Sequence, residues 1–393
     1  MTARRGLVLA AAAAVGAAAA VGARVGGRAA VARTERRLCR TTNPPPYPAS
    51  DRARDLHETL FVADLHADSL LWGRDLRRRS DRGQVDIPRL IDGNVAVQVL
   101  AVTTKTPRHL NIERNDDRSD DVTLLALAQG WPPATWRSLL ARALHQAARA
   151  DAMAAGSDGM FSLIRTKDDL LACVARRARG PRVTTGLLAI EGAHALDDDP
   201  ANVEVVADAG FRMMSPSHFF DTAFGGSAHG LAQGGLTDLG REMVERMEAR
   251  GMLVDVAHAS SATIDDILAV ARRPVVASHT GLRGILDNAR NLSDAHARGI
   301  AASGGLLGIG YWPTACGGED VASIARSIRY AIEVAGVEHV GLGSDFDGAV
   351  AVPIDATGLV QLTDALIEAG LADDDIAKVM GGNARRLLAD VLP

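Results

Sequence analysis

Eight short apolar runs, four to eight residues each, constrain this chain more than anything else in it: Leu60–Leu65, Val95–Val102, Leu187–Ile190, Phe211–Met214, Met252–Ala257, Pro274–Ala277, Leu306–Tyr311 and His339–Gly343. Near-continuous apolarity over such lengths, without polar alternation, is what strands covered on both faces require, as in a parallel sheet. Amphipathic stretches lie between most of them. The clearest helices are expected over about Thr237–Arg250, Ser260–Arg272, Val321–Ala335 and Asp375–Val391, with Gly251 and Gly336 at the C-terminal positions where glycine ends a helix. Strands alternating with helices eight times predict an α/β fold of the (β/α)8, TIM-barrel type. A doubly wound open sheet is the competing arrangement, but His66-Ala67-Asp68 follows the first run where a glycine-rich phosphate loop would stand. The stretch from Thr103 to Thr185 is too long for one crossover and predicts extra helices between the early strands, one over Trp136–Ala154.

Ahead of the first run, Arg4-Arg5 precede an uncharged span, Gly6–Ala23, that ends in small residues. Positive flank, apolar core and small-residue end are the order of an export signal, so residues 1–23 are expected to be a signal peptide or, as second choice, an N-terminal membrane anchor. The paired arginines suit a twin-arginine signal. On this reading the catalytic domain lies outside the cytoplasm. Residues 24–50, with Asn43-Pro44-Pro45-Pro46, read as a stiff linker, and the folded domain is expected over 51–393. Forty-three Lys and Arg against 48 Asp and Glu leave a net charge of −5 and no basic block, so a nucleic-acid partner is not expected. Three dispersed cysteines, Cys39, Cys173 and Cys316, write neither a disulfide framework nor a thiolate zinc site, so any metal must take nitrogen and oxygen donors.

Polar residues at the ends of the runs carry the chemistry. In an extended chain residues two apart share a face, so His66 and Asp68 can share one cation. Glu191, His258, His279 and Asp345 each end, or closely follow, a later run. In a parallel barrel these C-terminal ends converge on one mouth. Singly, His258 or His279 reads as a hydrogen-bonded core histidine; the joint placement reverses that reading. Glu191 and Asp345 beside apolar strands are harder to assign to the core, since buried acids are paired or coordinating. Such donors suit Zn2+, with Mn2+, Co2+ or Fe2+ able to bind similarly, and one Glu able to bridge suffices for two metals per chain. Asp347 reads as a turn residue before Gly348. His194, His229, Asp64 and Asp255 are either supporting partners or ordinary polar groups.

Taken in order, His66-Ala-Asp68, Ile190-Glu191-Gly192, Ser217-His218-Phe219-Phe220-Asp221, Gly226-Ser227-Ala228-His229-Gly230, Asp255-Val-Ala-His258, Ser278-His279, Arg290-Asn291 and Gly343-Ser-Asp345-Phe-Asp347-Gly348 resemble the renal (membrane) dipeptidase family, the M19 metallopeptidases. The resemblance runs from about residue 55 to Gly382-Asn383-Ala384-Arg385-Arg386. It implies a (β/α)8 barrel with a binuclear zinc centre, His66 and Asp68 on one ion, His258 and His279 on the other, and Glu191 bridging. It further implies His218 near the developing oxyanion, Arg290 on the substrate carboxylate and Asp345 as acid/base.

These roles are chemically coherent. A dipeptidase must read a free C-terminal carboxylate, and arginine offers it a planar two-donor match. The expected activity is hydrolysis of dipeptides by a hydroxide activated between two metals. Besides the small dipeptide, a homodimer and membrane tethering through the N-terminal segment are the partners compatible with this reading. Ala67, Ala193 and Phe219-Phe220 depart from the renal enzymes' pattern and leave the side-chain preference open. The alternatives are another binuclear barrel amidohydrolase acting on a cyclic amide, lactone or phosphoester, many of which begin with HxH instead of HxD, and a non-catalytic metal or peptide binder, which would need neither Asp345 nor His218.

Overall fold

Each of the eight apolar runs overlaps a strand in the computed structural model, which describes residues 26–393. In chain order the strands are β1 (Val62–Ala67), β2 (Val95–Thr103), β3 (Phe161–Leu163), β4 (Thr184–Glu191), β5 (Phe211–Met214), β6 (Leu253–Asp255), β7 (Val275–Thr280), β8 (Leu306–Ile309) and β9 (Val340–Leu342). All pair in parallel, in the order β2-β1-β9-β8-β7-β6-β5-β4, and a further β2–β4 ladder closes the ring into an eight-stranded barrel. The three-residue β3, not foreseen, pairs with the start of β4 and stays outside the ring. Successive residues of a strand enter different apolar clusters. Ala63, Leu65, Val97 and Val99 pack with Leu387, Leu388 and Val391 near the C-terminus, whereas Val62, Leu100, Val102 and Ile190 join the larger cluster shared with the surrounding helices. Burial on both sides explains why the runs are continuously apolar.

The helices form where capping and periodicity direct. Asp238–Ala249, Ser261–Val270 and Val321–Ala335 start on the side-chain caps of Thr237, Ser260 and Asp320. Gly251 and Gly336 follow the first and last of these at φ of +63° and +87°. The long β2–β4 connection holds three helices, Asp121–Gln129, Leu139–Ala155 and Lys167–Arg179. The middle one begins later than the expected Trp136, because Pro133–Trp136 is a 3-10 turn and the α-helix starts only on the Ser138 cap.

Two expectations need correction. Asp375–Val391 is not one helix: it breaks into Asp373–Ala377, a π turn at Lys378–Gly382 and Asn383–Val391. The break falls where Gly381 lies against the backbone entering β1; a Cβ there would sit 2.0 Å from the Phe61 carbonyl oxygen. Nor is 24–50 a linker throughout. Residues 26–38 are helical, with Val31, Glu35 and the adjacent Cys39 buried. Val31 and Cys39 pack with Leu71, Trp72, Val122, Ala126 and Trp131. Alanine and arginine favour a helix once one face has a surface to bury, and the loop after β1 supplies it. The expected signal or anchor, residues 1–23, lies outside the described residues; among those described, no helix is long and apolar enough to cross a membrane.

Candidate metal centre and active site

Six strand ends deliver their side chains to one mouth of the barrel. His66 is the penultimate residue of β1 and Asp68 follows the strand; Glu191 ends β4; His218 follows β5; His258 follows β6; His279 is penultimate in β7; Asp345 follows β9. Arg290 enters from the connection after β7. All eight are buried, and Asp68, Glu191, His218, His258, His279, Arg290 and Asp345 line one cavity of ≈ 680 Å³.

Glu191 is the hub. Its Oε1 lies 3.2 Å from His258 Nε2, 3.4 Å from His279 Nε2 and 3.6 Å from His66 Nε2. Its Oε2 lies 3.3 Å from His218 Nε2 and 3.1 Å from the Thr103 hydroxyl, which is 3.2 Å from Asp68 Oδ1. Three overlapping triads have their donor atoms within 4.8 Å of one another: His66, Glu191 and His279; Glu191, His218 and His258; His66, Asp68 and Asp345. The structure therefore brings together every residue singled out from the sequence as a metal ligand.

These residues fit divalent cations. Although wholly enclosed, His66 Nε2 has no hydrogen-bond partner, a costly condition that a cation relieves. The Nε2 atoms of His258 and His279 lie 3.0 Å apart beside the same carboxylate oxygen, a crowding that a shared positive charge would reconcile. Burial, reinforced by Asp68, pushes Glu191 well above the usual carboxylate range, and burial pushes Asp345 up to about 8. Burial opposes charge on His66 too, but Glu191 and Asp68 outweigh it and raise the ring to about 10. This carboxylate-rich pocket thus draws positive charge to itself. Burial holds His218, His258 and His279 well below the usual histidine range, in the neutral form that ligates metals.

A further layer sets the histidine tautomers. His229 Nδ1 faces the Ile112 carbonyl at 2.5 Å and must donate to it. Its Nε2 is then an acceptor, and His258 Nδ1, 3.1 Å away, donates, which leaves the lone pair of His258 Nε2 facing Glu191. Ser278 repeats the device: its hydroxyl donates to Asp255 Oδ2 at 2.6 Å and can accept from His279 Nδ1 at 2.9 Å. Asp255 and His229, undecided from sequence, are thus supporting partners. Asp64 is another: it accepts from the Ser344 amide and hydroxyl, both at 2.8 Å, and fixes the turn into Asp345. His194 stands apart, buried with both ring nitrogens unpartnered. Asp347 proves more than a turn residue, as it is fully buried and accepts from Ser69, Arg74 and the Gln84 amide. Thr103 escaped the sequence reading, and Ser278 carried a motif without a role; for Thr103 the one available signal was a hydroxyl placed where an apolar strand ends.

Arg290 lies at the same mouth. It donates to the His279 carbonyl at 2.6 Å and stacks over Trp312, its charged group 5.5 Å from the ring centre. Burial lowers its pKa to about 10, still high enough to remain a cation at neutral pH.

Comparison with known proteins places the chain in a family and a fold. The profile of the membrane dipeptidase family, peptidase family M19, matches residues 50–392. The dipeptidase aclJ of Aspergillus oryzae is 33% identical over 221 residues, 54% of this chain and 52% of that protein, so the chain spans about half the length of that relative. Among solved structures, the probable dipeptidase PvdM of Pseudomonas aeruginosa superposes with a TM-score of 0.72 at 21% identity, covering 86% of this chain and 97% of that one. A metallopeptidase of Rhodobacter sphaeroides, solved with a phosphinate mimic of L-Ala-D-Ala, gives 0.67 at 24% identity over 85% of this chain and 99% of that one.

Proposed function

Given that this chain belongs to peptidase family M19, the membrane dipeptidases, we propose that it hydrolyses the peptide bond of dipeptides bearing a free C-terminal carboxylate, at a centre of two divalent cations, zinc in the first instance. The observation that carries this reading is the joint presence, in one cavity, of the donor cluster around Glu191 and the guanidinium of Arg290. His66 and Asp68 would hold one ion, His258 and His279 the other, with Glu191 between them. When bound, such ions supply Lewis-acid chemistry, polarising a carbonyl and making water acidic enough to ionise near neutral pH.

The remaining work falls to the chain. Arg290, fixed by the His279 carbonyl and the Trp312 face, pairs with the substrate carboxylate and sets the scissile carbonyl near Glu191. His218, a neutral imidazole beside Glu191, places an N–H where the carbonyl oxygen gains charge. Asp345, with its pKa pushed up to about 8 by burial, can take a proton and pass it to the departing amine near neutral pH. The net reaction adds one water across the amide and releases two amino acids, with no acyl-enzyme.

The test is a panel of L-Xaa-L-Xaa and L-Xaa-D-Xaa dipeptides with their C-amidated and N-acylated analogues, offered to protein stripped of metal and reloaded with zinc. The Rhodobacter complex with a phosphinate mimic of L-Ala-D-Ala supports including the D-series. Hydrolysis of the free dipeptides and its loss on C-amidation is the expected result. Equal turnover of amidated and free peptides would remove Arg290 from its role, and turnover without added metal would remove the cations from theirs.

A further inference from the structure

Residues 26–38 precede the part of the chain that matches the family, residues 50–392, yet they wall the catalytic cavity. Ala30, Val31, Thr34 and Leu38 border the same space as Glu191 and Asp345. Their spacing is one face of a helix.

That helix is held firmly. Glu35, wholly buried on it, pairs with Arg74 and Arg82, and Arg74 also pairs with Asp347, two residues past Asp345. The Cys39 thiol, just beyond the helix, donates to the Asp347 carbonyl at 3.3 Å. Further toward the N-terminus, Gly27 lies so close to helix Asp121–Gln129 that a Cβ would come 2.8 Å from the Ala128 carbonyl oxygen. A wall held at Gly27 and again at Glu35 and Cys39 can select among substrates, because it does not yield to them.

The cavity has two unlike poles. In the cyclic strand order, β2 stands opposite β7. Arg290 comes from the β7 side; Leu110 and Ile112 in the loop after β2, and Leu124 and Leu125 in helix Asp121–Gln129, come from the other. Leu110, Ile112 and Leu124 are exposed at 45%, 37% and 52%, a cluster of apolar side chains at the cavity mouth. With a carboxylate at Arg290 and the scissile carbonyl at Glu191, the substrate's amino-terminal residue extends toward this apolar side, which helix 26–38 completes.

We propose that helix 26–38 is a specificity wall, favouring dipeptides with a large apolar amino-terminal residue. The inference rests on the dipeptidase reading and on Arg290 binding the carboxylate. Its test is the ratio of kcat/KM for Phe-Ala over Ala-Ala with the full zinc-loaded chain, in the wild type and in the Thr34→Asp and Ala30→Trp variants, both at exposed positions of the helix. The wild type is expected to favour Phe-Ala by about tenfold or more, and each variant to lose most of that preference, because one places a charge in the wall and the other fills the space. A wild type that cleaves Ala-Ala without preferring Phe-Ala, or a preference that survives in both variants, overturns the inference while sparing the dipeptidase reading. A zinc-loaded chain that cleaves neither peptide overturns both.

Discussion

His229 Nε2 lies 3.1 Å from His258 Nδ1, and through that contact a residue that never faces Glu191 decides which nitrogen of His258 does. Replacing His229 with Leu removes the acceptor and frees the His258 ring to adopt the other tautomer. Metal affinity is expected to fall by about 10–100-fold, the usual cost of losing such a partner. Zinc competition against a chromogenic chelator measures it, and circular dichroism should show the fold retained.

The substrate clamp predicts a split between binding and chemistry. Arg290→Ala should raise KM by about 100-fold, as expected when a paired guanidinium is lost from a buried site. Arg290→Lys should recover little of this, because a point charge does not reproduce the two-donor fork. Steady-state kinetics on one free dipeptide decides it; an unchanged KM in both variants would falsify the assignment.

Asp345→Asn keeps the shape of the side chain and removes its proton. The kcat is expected to drop by about 10²–10⁴ with KM little altered, the range attributed to general acid–base catalysis. Zinc content per chain, measured alongside, should stay at the wild-type value.

The ion network behind the turn that carries Asp345 predicts a stability effect at a position outside the family-matched region. Glu35→Ala leaves the buried Arg74 with Asp347 as its remaining carboxylate partner. Removing one member of a buried charged pair should destabilise the fold by about 3 kcal/mol, read from urea denaturation. Unchanged stability would mean that the pairs of Glu35 with Arg74 and Arg82 contribute nothing to the folded unit.

His57 gives a pH signature away from the active site. It is buried between the Thr363 hydroxyl at 2.8 Å and the Gly93 carbonyl at 3.1 Å, and burial lowers its pKa from the usual 6.5. Below pH 6.5 the unfolded chain takes up a proton that the folded one refuses, so this contribution to stability is complete above that value and is lost as the pH falls toward the lowered one. Melting temperatures between pH 7 and pH 5 should therefore fall more steeply for the wild type than for His57→Gln, which keeps both hydrogen bonds without titrating.

What the sequence made legible and what it hid divide along physical lines. The barrel was readable because strands buried on both faces must be apolar throughout, and Phe211–Met214 shows the consequence, with run and strand coinciding residue for residue. The donor cluster was readable because parallel strands end together, so His66, Glu191 and His279 converge although they lie far apart in the chain. Helix 26–38 was not readable: its helical tendency is real, but its reason to dock lies in Trp72 and Arg74, which only the fold brings near. The break at Gly381 did leave a mark, the Gly381-Gly382 pair that disfavours a helix interior, but its cause, the backbone entering β1, is brought near only by the fold. His229 carried a motif but no role, because tautomer control depends on the Ile112 carbonyl, and a carbonyl has no sequence signature.

The ladder that closes the barrel runs in register from Val97 opposite Thr185 to Thr103 opposite Glu191. Its last rung is therefore the pair whose side chains meet at the edge of the donor cluster, and the seam doubles as a gauge. A slip of one residue there would turn Glu191 to the opposite face of the sheet, and the donors would lose their common neighbour. A chain zipped in the wrong register would have no place for metal, so uptake of the ions would report that the ring had shut correctly.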